Sequence, residues 1–87
     1  MIVKSREELP KEDGFYWRSR EGIYYVEGER AAEIGTDMLV GGTLIYTSYV
    51  KWIPPHENEP MPKVKSAEII AKLEQWMTQN GAHYILK

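Results

Sequence analysis

His56 and His83 are the only two histidines in the chain, and there is no cysteine. Acyl-transfer chemistry needs a Ser, Thr or Cys nucleophile beside such a base. Neither histidine sits in a nucleophile motif, and Ser19, Ser48 and Ser66 fall at strand or helix-cap positions. No glycine-flanked nucleophile elbow surrounds any of them. His56-Glu57-Asn58-Glu59 crowds three ligating side chains into four residues. Metal sites draw their ligands from helical i,i+4 spacing or from converging strands, with supporting hydrogen bonds behind them. This tetrad lies between prolines and reads as a solvated loop. Glu7, Glu8, Glu12 and Asp13 could divide acid and base roles only if burial separated their pKa values. A run this polar reads as a solvated face. Gly41-Gly42 lacks the Lys and the Ser or Thr of a phosphate loop. The expectation is no catalytic residue, no metal and no cofactor.

Aromatic residues stand above background: three Trp, six Tyr and one Phe in 87 residues. Phe15, Trp17, Trp52 and Trp76 are expected in the core. One helix cannot hide both aromatic faces of a sheet, so Tyr16, Tyr24 (or its neighbour Tyr25) and Tyr49 are candidates for exposure. Arg18 and Arg20 lie beside them in sequence. Tyr, Trp and Arg dominate the binding energy of protein interfaces. The set Tyr16, Arg18, Arg20, Tyr24 and Tyr49 is therefore the candidate binding surface. The same residues could stack single-stranded bases, which makes a nucleic-acid-binding accessory domain the alternative.

The elements that would position these residues follow from the hydrophobic pattern. Ser5-Arg6-Glu7-Glu8 has capping-box spacing and predicts one helical turn before Leu9-Pro10. Residues 15–20 and 23–27 are aromatic and β-branched and predict a hairpin turning at Glu21-Gly22. Residues 28–42 read ambiguously as strand or loop, with a lean to a short strand at residues 31–34. Residues 43–53 alternate, and the even face (Leu44, Tyr46, Ser48, Val50, Trp52) looks like the core face. Eleven residues is long for one strand, so a bulge or bend is expected around Thr47-Ser48. Ser66 reads as the N-cap of a helix to about Gln79, with Ile69, Ile70, Leu73, Trp76 and Met77 on one stripe. Glu68 and Lys72 form an i,i+4 pair, Asn80-Gly81 ends the helix, and residues 82–86 return as a short strand. The fold expected is α+β: a four- to five-stranded antiparallel sheet packed against one C-terminal helix, with a short terminal strand.

Eighty-seven residues, 43% of them hydrophobic and 28% charged, suit one small domain spanning residues 1–87. No apolar run approaches a membrane span, and cysteine-free composition favours the cytoplasm. The net charge of −2 divides as −4 over residues 1–60 and +2 over residues 61–87. Non-specific nucleic-acid binding wants a basic face, and this balance does not supply one over the whole domain.

Leu9-Pro10, Asp13-Gly14-Phe15-Tyr16-Trp17 and Tyr49-Val50-Lys51-Trp52-Ile53-Pro54-Pro55 resemble short motifs of small phage and prophage proteins of unknown function. The resemblance covers about residues 8–60 and brings no active site. It implies a mobile-element origin. By analogy with small phage proteins, and with no catalytic groups but a surplus of Tyr, Trp and Arg on strands, the expectation is a non-enzymatic protein-binding module that inhibits or modulates a host protein, such as a CRISPR or other defence effector.

Overall fold

The computed structural model describes residues 5–19 and 22–87, without the side chains of Arg18 and Ser19. After a 3-10 turn at Arg6–Glu8 come β1 (Gly14–Ser19), β2 (Gly22–Glu27), β3 (Arg30–Leu39) and β4 (Gly42–Trp52). The helix α1 (Lys63–Gln79) and β5 (Tyr84–Leu86) complete the chain. The sheet order is β1-β2-β3-β4-β5. The first three junctions are antiparallel, whereas β5 runs parallel to β4. The expected α+β fold is present, a five-stranded sheet against one C-terminal helix with a short terminal strand, and the parallel β5 makes the otherwise antiparallel sheet mixed. A helix must carry the chain back along the sheet before β5 can dock beside Thr43, so β5 enters in the direction of β4. The hairpin turn expected at Glu21-Gly22 falls partly outside the described residues; Gly22 itself opens β2.

The stretch left ambiguous by sequence is mostly strand. Glu27 pairs with Arg30 across the two-residue turn Gly28-Glu29, and Gly28 takes φ 61°. Only glycine adopts that conformation without steric cost, and it matches the twist of a tight hairpin. β3 then continues to Leu39.

Each face of the sheet carries its own cluster. On one side Ile23, Tyr25, Ala32, Ile34, Ile45, Val50 and Trp52 pack against Ile69, Ile70, Leu73 and Met77 of α1. Phe15 and Trp76 join at its margin, their ring centroids 5.5 Å apart. Trp17, expected in the core, is 45% exposed and leans on Trp76 at 5.8 Å. It sits on the sheet's edge strand, where Trp76 at the margin of the helix covers only part of its ring. On the other side Leu9, from the N-terminal segment, covers Tyr24, Val26, Ala31 and Ile53.

β4 changes phase midway. Ile34 pairs with Val50, but Thr36 pairs with Ile45, so five steps along β4 face two along β3. This is the irregularity expected around Thr47-Ser48. It also corrects the core-face assignment. Val50 and Trp52 do face the helix, but before the bulge Ile45 turns inward, and Leu44 and Tyr46 are only half-buried. Ile45 and Val50 are offset by five positions, an odd step, and regular alternation would have put them on opposite faces.

The helix starts earlier than expected, at Lys63 after Pro62, and Ser66 N–H donates to the Pro62 carbonyl at 2.9 Å. Ser66 is thus inside the first turn and is not the cap. Proline's fixed φ suits it to a helix entry. At the other end Ala82 N–H bonds the Met77 carbonyl and Gly81 N–H the Thr78 carbonyl, with Gly81 at φ 67°. That pair is a Schellman closure. Lys65 ties α1 to the sheet: its Nζ lies 2.6 and 2.8 Å from the Glu27 oxygens and 2.9 Å from Glu68. Lys72 reaches Glu68 at 3.6 Å and Tyr25 Oη at 3.2 Å.

Candidate protein interface on the uncovered sheet face

Register places Tyr16, Tyr24, Glu33 and Lys51 in one row across β1 to β4, on the face away from the helix. Tyr16 is half-buried, and its hydroxyl donates to the Glu12 carbonyl at 2.7 Å. Tyr24 is 1% exposed and serves as floor beneath the N-terminal segment. Tyr25, weighed beside it, lies in the helix-side core, where burial and the Glu27 carboxylate push its hydroxyl pKa up.

Tyr49 is the exposed aromatic of this face, with its hydroxyl 3.3 Å from Glu33 Oε1. Its ring crosses Gly35, where a Cβ would meet Tyr49 Cγ at 3.0 Å. Glycine at that position is what lets the ring lie flat on β3. Lys51 Nζ stands 4.8 Å from the ring centroid, and the Tyr49 hydroxyl holds the Lys51 pKa above the ordinary lysine value. Of the five expected site residues, the structure brings Tyr16, Tyr24 and Tyr49 onto one face. Arg18 contributes backbone to β1, but its side chain, and all of Arg20, lie outside the described residues.

Sequence reasoning missed the neighbouring half of this face. Asp37 and Ile85 both pair with Leu44, which puts Leu39 and Ile85 on the same side as Leu44. Leu39 is 45% and Ile85 60% exposed. Tyr46 lies alongside, with Lys87 Nζ 5.8 Å from its ring centroid. The surface that results sets Leu39, Leu44, Tyr46 and Ile85 around the charged Asp37, with Lys51 and Lys87 beside the Tyr49 and Tyr46 rings. The odd spacing of Ile45 and Val50 was the signal that could have found it.

Other candidate chemistry does not converge. Among the described residues, no three His, Asp or Glu side chains group to hold a metal ion. His56 Nε2 is 3.8 Å from Glu59, whose other oxygen is held by Arg30. A cleft of about 570 Å³ between the β4 bulge and α1 includes Ser48 and Ser66 in its lining but no histidine. Its Glu74 accepts a hydrogen bond from the Tyr84 hydroxyl. Three of the described cations are held in ion pairs, while the Arg18 and Arg20 side chains lie outside the described residues. Arg30 pairs with Glu59, and Lys65 and Lys72 pair with acids on the helix side. Among the described residues no helix is long and apolar enough to cross a membrane.

No curated protein and no solved structure matches the chain. The model of one family, described as immunity protein 74, matches residues 18–87, from the end of β1 through the helix to β5. The match takes in the outward strip on β3, β4 and β5, and it carries no statement of phage origin. The chain belongs to the immunity protein 74 family.

Proposed function

We propose that this chain is a non-enzymatic immunity protein that binds a toxin protein in the cytoplasm and neutralises it through the part of the helix-free sheet face that the N-terminal segment leaves exposed. The family match over residues 18–87 is the observation that carries the reading. The exposed strip of Leu39, Leu44, Tyr46, Tyr49 and Ile85 supports the choice of surface. Contiguous apolar area on a small protein marks an interaction site, and its tyrosines supply rigid contact area with polar tips. A toxin takes the place of the host defence effector that the phage resemblance implied; both readings share an inhibitory, protein-binding role.

The test is capture of the toxin on the purified chain, followed by co-expression of the two in a growth assay. Wild-type chain should restore growth. Ile85→Asp and Tyr49→Ala should each weaken binding about tenfold or more, as losses at an interface centre do. A captured partner without toxicity would sink the toxin reading. A toxin bound equally well by both variants would move the interface off this face.

A further inference from the structure

Ile53 N–H donates to the Ala31 carbonyl, so the backbone groups of Ala31 face β4 and those of Arg30 and Ala32 face β2. Carried through the register of Tyr25 with Ala32 and of Tyr16 with Tyr24, this alternation points the peptide groups of Tyr16 at β2. Those of Phe15 and Trp17 therefore point outward, and among the described residues no strand pairs with that edge of β1. Proteins usually guard such an edge with lysine, proline or an inward charge. Gly14, Phe15, Tyr16 and Trp17 carry none of these. Beside the open edge, Phe15, Trp17 and Trp76 form a shelf of rings with centroids 5.5 and 5.8 Å apart, and Trp17 is 45% exposed.

We propose that the β1 edge is a self-association site, at which a second copy of this chain adds its own β1 antiparallel and continues the sheet. The edge itself names its occupant. In the register that sets Phe15 against Trp17 of the second copy, the outward N–H and C=O groups of both strands are satisfied at once, and Tyr16 meets Tyr16. Both helices then lie on the same side of the joined sheet. The Phe15, Trp17 and Trp76 rings of the two copies meet between them as cross-strand aromatic neighbours. The paired segment, residues 14–17, is uncharged, so no like charges are set opposite one another within it. A register shift between Trp17 and Ser19 confines the pairing to about these four residues. So short a contact falls below the roughly 1,200 Å² of a stable interface, which makes the dimer weak and dependent on concentration. The site lies at the opposite edge of the sheet from β5, so its fate is independent of toxin binding.

Sedimentation velocity of the wild-type chain from low micromolar to about 1 mM should show a reversible monomer–dimer equilibrium, weakening toward the upper end of that range. Hydrogen exchange at the two extremes should show the Phe15 and Trp17 amides gaining protection at high concentration. Trp17→Lys, which installs an edge guard at an exposed position, should hold the chain monomeric with unchanged circular dichroism. Leu39→Lys, on the other exposed patch, should dimerise as wild type does. A constant monomer mass throughout, protection gained elsewhere instead, or a Trp17→Lys protein that still dimerises would each overturn the proposal.

Discussion

Glu27 couples this fold to pH through Lys65. The Lys65 ammonium beside it holds its carboxyl below the ordinary value of 4.5, and the pair pushes Lys65 up to about 12. The lowered carboxyl contributes stability that is complete above about pH 4.5 and disappears as pH falls through its lower folded value. The raised ammonium contributes below about 10.5 and loses its share as pH climbs past about 12. Both groups are partly exposed, so the pair is worth only about 1 kcal/mol. Glu27→Gln should lose about that much in urea unfolding at pH 7 and should show a shallower decline between pH 5 and pH 3 than wild type. An unchanged acid limb would remove Glu27 from that role. Gly35 is the second single-residue control. Gly35→Ala puts a methyl 3.0 Å from the Tyr49 ring, so the ring must lift off β3. The expected cost is about 1–3 kcal/mol, with altered Tyr49 signals in NMR spectra.

At the scale of elements, the hairpin of β1 and β2, the helix stripe and its glycine closure were legible because each announces itself locally. Phe15-Tyr16-Trp17 and Ile23-Tyr24-Tyr25 have no other comfortable conformation, and Ile69, Ile70, Leu73 and Met77 repeat at helical spacing. The helix start was not legible, because Ser66 reads as a cap while the N-cap position falls on Pro62, which makes no side-chain cap bond. The direction of β5 was not legible either, since parallel pairing depends on where the helix delivers the chain and not on the strand's own residues. Gly42 marks that delivery point. It has φ 150°, and a Cβ there would fall 2.5 Å from the His83 carbonyl oxygen, which accepts the Thr43 N–H. Gly42→Ala should undock β5 and lower stability by more than about 2 kcal/mol. Faster exchange of the Thr43 and Thr47 amides, which donate to the His83 and Lys87 carbonyls on either side of β5, would report the undocking.

On the scale of the molecule, one sheet separates two unequal layers, and only the larger one follows from helix periodicity. The smaller layer depends on Arg6, whose Nε donates to the Gly28 carbonyl at 2.9 Å while its backbone N–H bonds the Pro54 carbonyl at 2.8 Å. That clasp holds Leu9 over Val26, Ala31 and Ile53. The sequence offered the capping turn but no sign of what it would cover, because the contacts join segments distant along the chain, Leu9 with Val26, Ala31 and Ile53. The candidate site was half legible for a similar reason: Tyr16 and Tyr49 were named from residue type, whereas Leu44, Tyr46 and Ile85 required the bulge. Leu9→Ala should cost about 2–5 kcal/mol in thermal or urea unfolding, a large share of what a domain this small can hold. A variant that melts like wild type would mean the segment rests on the sheet without supporting it.

The bulge in β4 also sets rules for how this gene can change length. Ile45 and Val50 must both face the helix although five positions separate them. Deleting one or three codons among residues 46–49 leaves an even separation, and plain alternation then returns both side chains to the core. Deleting two keeps the separation odd and demands a new kink. Homologous chains should therefore differ here by odd-numbered gaps, and a library of deletion variants scored for soluble expression should recover the same parity.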